Sequence, residues 1–203
     1  GTSGGIIDYH GTNDLETVGN TQLASEDPYS GSYYSNYFDG TGDYAYTNAS
    51  AAITTGPFTI EFWINPSVLG TSRAILDNSY WSAGDNGGWN TYLNSDNTIS
   101  LNAALVNTYN TFPNIIKSSS TISAGRWTHV AIVRNSSNQI NMYFDGVVAA
   151  TPVTYSTTLN TGYGGWTGLV FRLGYHVADN TAYDLFYGHI SNARVVNGTE
   201  VYT

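Results

Sequence analysis

The chain has 203 residues, 41% of them apolar, 14% aromatic and only 10% charged, with a formal net charge of −9. Charged residues make up about a quarter of an average domain. Here Asn, Ser, Thr and Gly must keep the surface wet, and the excess of carboxylates repels nucleic acid and anionic membranes. The lack of cysteine rules out a disulfide framework, a thiolate nucleophile and a thiolate zinc site, and no apolar run reaches the ~20 residues that a bilayer-spanning helix needs.

The opening Gly-Thr-Ser-Gly-Gly reads as a linker, and no signal-peptide pattern follows it. Residues 1–13 are therefore expected to be a linker or N-terminal extension. A single domain is expected over 14–203, cut from a longer protein. A length of about 200 residues suits one large all-β domain better than two small ones, and such a chain can bury roughly 70% of its unfolded surface without a metal or disulfide.

One or two short strands are expected near 15–23. Runs 33–38 and 43–47 flank Asp39-Gly-Thr-Gly42, which reads as a hairpin turn. Run 58–64 alternates Phe58, Ile60, Phe62 and Ile64 with Thr59, Glu61 and Trp63, and Pro66 closes it. A strand over 73–77 is followed by a long loop at 78–88. Runs 89–93 and 98–105 then form a hairpin across 94–97. After a second long loop at 106–114 comes a strand at 115–119. WTHVAIVR (127–134) and QINMYFDG (139–146) are the clearest pair. One alternates Trp127, His129, Ala131 and Val133 with Thr128, Val130, Ile132 and Arg134, and the other alternates Ile140, Met142 and Phe144 with Asn141, Tyr143 and Asp145. Asp145-Gly146 suits a tight turn, so 147–150 should fold back as the next strand. A loop at 154–168 and strands at 169–175 and 185–196 complete the chain. With helical periodicity absent and turn residues every dozen positions, this pattern predicts an antiparallel sandwich or barrel.

These residues resemble a known family. FDGTGDY (38–44), FTIEFWINP (58–66), WTHVAIVR (127–134), INMYFDG (140–146) and GHISNARVVNGTEVYT (188–203) look like laminin-G-like domains of the concanavalin A-like superfamily. The closing run is similar to versions in tail fibres and other surface proteins of marine phages. The resemblance implies an all-β, two-sheet antiparallel jelly roll. It implies no single activity, since lectins, carbohydrate-binding modules, adhesion domains, glycoside hydrolases and polysaccharide lyases share that fold.

In an antiparallel meander, successive connections alternate between the two ends. The loops at 78–88, 106–114, 135–138 and 154–168 therefore gather on one rim and the tight turns on the other. The long-loop rim carries Trp81, Trp89, Tyr109, Tyr155, Tyr163 and Trp166, with Asp85, Asn86, Asn107 and Asn110 among them. Planar amphipathic rings stack on sugars while Asn and Asp bind hydroxyls. Trp81, Asn86, Trp89, Tyr109, Asn110, Tyr163 and Trp166 are accordingly the candidate glycan-binding residues. The alternative is that the aromatics cap the ends of the core. Laminin-G relatives often hold one calcium at a loop rim, which by position points to Asp85 and Asn107, and calcium favours oxygen ligands. Asp39 and Asp43 are a competing pair, or simply a turn.

Catalysis is not expected. The laminarinase-type hydrolases of the superfamily carry a Glu-x-Asp-x-x-Glu type pattern, whereas the four glutamates here, Glu16, Glu26, Glu61 and Glu200, are scattered. The Arg, Gln, His and Tyr motifs of the alginate-lyase type are missing. His129 reads as a packed strand histidine, and His10, His176 and His189 form no metal triad. The reading is a non-catalytic carbohydrate-binding or cell-surface adhesion module on a virion surface or in the extracellular space, displayed as a fibre tip or capsid decoration. Its partners would be a host or cell-surface glycan and other virion proteins, and an oligomer is compatible with it. The alternatives are a structural protein–protein assembly domain and an accessory module of a secreted polysaccharide-degrading enzyme.

Overall fold

The computed structural model describes residues 14–29, 31, 33–82, 85–105, 112–159, 162–163, 169–178 and 181–202, so the expected linker at 1–13 lies outside the described residues. The described chain is built from strands. β1 (Glu16–Val18), β2 (Gln22–Ala24), β3 (Ser35–Asp39) and β4 (Tyr44–Thr47) lead into β5 (Phe58–Pro66) and the long β6 (Arg73–Ser82). Then follow β7 (Asp85–Leu93), β8 (Ile99–Ala103), β9 (Asn114–Lys117), β10 (Thr128–Arg134), β11 (Gln139–Phe144) and β12 (Val147–Val148). The last are β13 (Val153–Thr154), β14 (Gly162–Tyr163), β15 (Phe171–Leu173), β16 (His176–Ala178), β17 (Thr181–Tyr183) and β18 (Tyr187–Asn197).

They form two 8-stranded antiparallel sheets. Sheet I runs β1-β4-β15-β6-β7-β8-β9, with β14 on β7, and sheet II runs β12-β11-β10-β5-β18-β3-β2, with β13 on β11. A separate ribbon pairs β16 with β17. This is the two-sheet jelly roll expected from the sequence.

Alternation decides what the sheets enclose. Phe58, Ile60, Phe62 and Ile64 of β5 are fully buried, as are Val130 and Ile132 of β10 and Ile140 and Met142 of β11. They meet Leu76, Trp89, Leu93 and Leu101 of sheet I in one core cluster. Each such side chain contributes about 1.5–3 kcal/mol. The Asp145-Gly146 turn forms as expected: both residues have positive φ, 49° and 78°, and Tyr143 and Phe144 pair with Val148 and Val147.

Arg134, at the end of β10, keeps the inward parity and is fully buried. Its Nε donates to Gly56 O at 2.6 Å, and Nη1 donates to Thr157 O at 2.7 Å and Tyr155 O at 3.4 Å. Nη2 reaches Thr54 O, and the guanidinium carbon stands 4.9 Å from the centre of the Phe58 ring. One side chain thus ties the chain before β5 to the segment after β13.

Three local expectations are corrected. Runs 33–38 and 43–47 do not form a hairpin: β3 pairs with β2 and β18 in sheet II, β4 with β1 and β15 in sheet I. The Asp39–Asp43 turn is a corner between sheets. Fully buried Asp43 accepts the amides of Asn20 at 2.7 Å and Asp39 at 3.0 Å, while Asp39 accepts that of Thr41 at 2.7 Å. Second, the stretch 78–88 is mostly strand, since β6 and β7 pair from Arg73↔Leu93 to Ser82↔Asp85. Its polar letters are used inside the fold: Asn78 is buried and its Oδ1 accepts Ala51 N at 2.8 Å. Gly88, at φ +82°, sits where a Cβ would lie 2.0 Å from Asn78 O. Third, the expected loop at 154–168 contains β14, which pairs with β7 where β8 has ended.

Candidate functional site

Residues directly opposite one another in an antiparallel sheet share a face, so register shows what sheet I presents outward. Ala45, Leu173, Leu76 and Leu101 face the core. The adjacent positions form one continuous polar row: Glu16–Tyr46–Arg172–Asp77–Asn90–Asn102–Asn114. Tyr46 donates to Glu16 at 2.9 Å. Arg172 Nη1 donates to Asp77 Oδ2 at 2.9 Å and to Ser79 O at 2.7 Å. Asn102 Nδ2 donates to Asn90 Oδ1 at 2.9 Å.

The β16–β17 ribbon folds over part of this row. His176 Nδ1 lies 3.4 Å from Asp77 Oδ1, and Asp77 is fully buried although it is on the outer face. Beyond the ribbon a groove of about 390 Å³ opens, lined by Asn90, Tyr92, Asn94, Asn102, Phe112 and His176 among others. Tyr92 donates to Asp184 at 3.0 Å, and burial, with the Asp184 and Asp77 carboxylates, raises its phenol so that it remains a donor. Next to Arg172, burial pushes the Tyr175 phenol up to about 12.

Two carboxamides on this face lack full partners. Asn102 is 8% exposed and its Oδ1 accepts no hydrogen bond, while fully buried Asn86 has neither Nδ2 nor Oδ1 engaged. A buried polar group left unpaired costs about 1–3 kcal/mol. Of the two, Asn102 lines the open groove, where its free Oδ1 is suited to a ligand hydroxyl, which both donates and accepts.

The sequence-derived candidates are not all brought together. Trp81, Asn86 and Tyr163 lie in one cross-strand row, since Asn86 pairs with Trp81 on one side and Tyr163 on the other. Asp85 lies at the end of β7 opposite Ser82. Trp89 does not belong to the set: three residues from Asn86 it has inward parity, is fully buried and donates its indole N–H to Ala51 O at 2.9 Å. Tyr109, Asn110, Trp166 and Asn107 lie outside the described residues. Tyr155 packs against the core.

Asn90, Tyr92, Asn102 and His176 were missed by the sequence reading. For Asn90 and Tyr92 a signal was available, since they share the parity of Asn86 along β7 and alternate with Trp89, Thr91 and Leu93. The join across strands was not. Asp43 spends both oxygens, and Asp39 its Oδ1, on backbone amides. Among the described residues no group of three His, Asp or Glu is placed to hold a metal.

On the opposite face, Glu61 gathers Arg194, Tyr202 and His129. Arg194 and Tyr202 donate hydrogen bonds to it, and His129 Nε2 lies at 3.3 Å. Burial would raise this carboxyl; the hydrogen bonds from His129 and Tyr202 and the Arg194 charge outweigh it and hold Glu61 below the usual range. His129 is thus a packed strand histidine with a partner, as its pattern suggested.

Two packed antiparallel sheets of this topology define a concanavalin A-like sandwich. The chain belongs to the laminin G family described as the concanavalin A-like lectin/glucanases superfamily, whose family model matches residues 39–199. Among curated proteins, none matches the sequence. Similar solved structures include the binding domain of Paraclostridial mosquitocidal protein 1, with TM-score 0.66 and 16% identity over 93% of this chain and 45% of that one. The ligand binding domain of botulinum neurotoxin serotype D in complex with N-acetylneuraminic acid gives TM-score 0.64 and 15% identity over 97% and 45%. Domain 4 of AbnA, an extracellular arabinanase of Geobacillus stearothermophilus, in complex with arabinotriose, gives 0.62 and 17% over 94% and 85%. The chain spans under half the length of the toxin domains. At these identities the likeness shows the fold.

Proposed function

We propose that this chain is a non-catalytic carbohydrate-binding or cell-surface adhesion module, and that the outer face of sheet I is its saccharide platform. The observation that carries the reading is the unpaired, buried Oδ1 of Asn102 in an open groove on a polar face. The row Trp81–Asn86–Tyr163 extends that platform toward the rim where the sequence placed its aromatics. Support comes also from the sugar-bound relatives: one holds N-acetylneuraminic acid and another arabinotriose. The arabinanase domain favours a second reading, an accessory module of a polysaccharide-degrading enzyme.

The finer setting we propose is a virion or other extracellular surface, with the module as a fibre tip or capsid decoration contacting a host glycan and neighbouring virion proteins. Calcium at Asp85 and Asn107 belongs to the same proposal. Calorimetric titration of calcium into the demetallated chain tests it, and a lack of both heat and thermal shift would remove it.

Titration of neutral oligosaccharides into the wild type and Asn90→Ala/Asn102→Ala tests the platform. We expect the double variant to remain folded and to bind about tenfold or more weakly, two ligand hydrogen bonds being lost at about 1 kcal/mol each. Unchanged affinity would overturn the site. Release of unsaturated uronide from any polysaccharide would overturn the non-catalytic reading.

A further inference from the structure

We propose that the outer face of sheet II carries a second saccharide site, separate from the sheet I platform, and that it takes a neutral sugar chain. The site is a cleft with a floor and two walls. Its floor is Trp63, which is opposite His129 on β10 and opposite Ser191 on β18. The Trp63 and His129 rings lie 5.1 Å apart, tilted by 41°.

One wall is the segment before β3. Asp27 accepts the amides of Tyr29 at 2.6 Å and Gly31 at 2.9 Å, a local turn that fixes the loop. Tyr29 meets Trp63 edge-on at 5.6 Å and Tyr33 at 5.5 Å. Tyr29, Tyr33 and Tyr34 are nevertheless 50%, 61% and 61% exposed. Ser191 Oγ donates to Tyr34 O at 3.1 Å and Asn192 Nδ2 donates to the Tyr29 hydroxyl at 3.2 Å, so the wall is anchored to β18.

The other wall is the segment after β18. Thr59 Oγ1 accepts Val201 N at 2.9 Å and donates to Thr199 O at 3.2 Å. Tyr202, held by Glu61, faces His129 edge-on at 6.0 Å. The cavity here, about 1080 Å³, wraps β18 and reaches residues packed against the core.

A bulge makes the floor. Ser191 pairs with Trp63 and Arg194 with Glu61, so Asn192 and Ala193 together oppose Phe62 alone. The extra residue restores Arg194 to the outer face, where strict alternation from Ser191 would have turned it inward.

Two features choose the ligand. Open tyrosine faces, with Tyr29 held by Asn192 and by the edge of Trp63, offer the amphipathic planes that sugar rings stack on. The charge on the floor is compensated, because Glu61 and Arg194 neutralise each other, and the chain as a whole is −9. No net positive charge is left to hold a uronate, so hydroxyl-rich neutral chains fit best.

The test reads the Trp63 indole N–H by nuclear magnetic resonance in the wild type, Tyr29→Ala/Tyr33→Ala and Asn90→Ala/Asn102→Ala. The probes are arabinotriose, cellotriose and laminaritriose, with tri-galacturonic acid as the charged arm. We expect at least one neutral trisaccharide to shift the Trp63 signal. The response should weaken about tenfold or more in Tyr29→Ala/Tyr33→Ala, whose far-ultraviolet dichroism should match the wild type, since both rings are largely exposed. It should persist in Asn90→Ala/Asn102→Ala, which removes the other face only. A wild type whose Trp63 signal responds to no neutral probe, or only to tri-galacturonic acid, overturns the proposal. So does a response that Tyr29→Ala/Tyr33→Ala leaves unchanged or that Asn90→Ala/Asn102→Ala abolishes. A signal that moves only with protein concentration would mark a self-association face and overturn it equally.

Discussion

Replacing Arg134 by Met keeps the length and removes the guanidinium from a fully buried position. Four backbone carbonyls, those of Thr54, Gly56, Tyr155 and Thr157, lose their donor. At about 1 kcal/mol for each buried acceptor left without its bond the loss approaches ~4 kcal/mol. Part returns, because burial disfavours the charged guanidinium and lowers its pKa, with only Tyr155 working the other way, and the methionine needs no desolvation. A net destabilisation of about 3 kcal/mol follows, which for a domain of this size is a Tm shift of roughly 6–12 °C. Differential scanning calorimetry measures it, and hydrogen exchange should quicken at Leu159, whose amide bonds Ile53 O at 3.1 Å. Arg134→Lys should recover little, since a point charge cannot span carbonyls that a planar fork reaches. A folded Arg134→Met variant within about 2 °C of the wild type would refute the reasoning, showing that the desolvation cost matched the bonds.

Gly88→Ala should be more damaging than its one methyl group suggests, because the new Cβ meets Asn78 O, a backbone atom, at 2.0 Å. Loss of several kcal/mol, read as a lowered urea midpoint, is expected, and a neutral effect would contradict the close β6–β7 approach. Acid should destabilise the chain in two stages. Burial lowers the pKa of His189 against the opposing pull of Glu26. The unfolded chain therefore takes that proton first, and stability begins to fall as pH drops below ~6.5. Glu61 is held below its ordinary range, so its contribution is complete above ~4.3 and is lost as pH falls through the lower folded value. Tm followed from pH 8 to about 3 should stay level, then decline, with Glu61→Gln flattening the later stage; a level curve throughout would contradict both assignments.

How far the fold could be read from the sequence depended on whether a residue's task was local. The alternation in β5, β10 and β11 and the Asp145-Gly146 turn are set by near neighbours, and they came through clearly. Stretch 78–88 misled because Asn78 and Gly88 look like loop residues, whereas one is buried and bonded inside and the other permits a close strand approach. Once that stretch became a hairpin, parity moved Trp89 from the rim to the core. The corner at Asp39–Asp43 was misread for a similar reason, since the same letters serve a hairpin and a crossing between sheets. The polar row on sheet I joins residues as distant as Arg172 and Asp77, 95 positions apart. Nothing within a single strand announces such a join. The bulge that aims Arg194 outward was equally silent.

β18 is late in the chain yet central in its sheet, lying between β5 and β3. Until residues 187–197 have been made, β5 presents an unsatisfied edge next to β10, with Ile60 and Ile64 part of an apolar strand. Emerging chains would therefore carry a sticky hydrophobic edge from the making of β5 until β18 follows, about 120 residues later. Folding must wait for contacts of long sequence separation, which slows it. Truncation within β18 is thus expected to give aggregation rather than a smaller folded unit, and slow, cool expression with the strand intact should favour soluble chain.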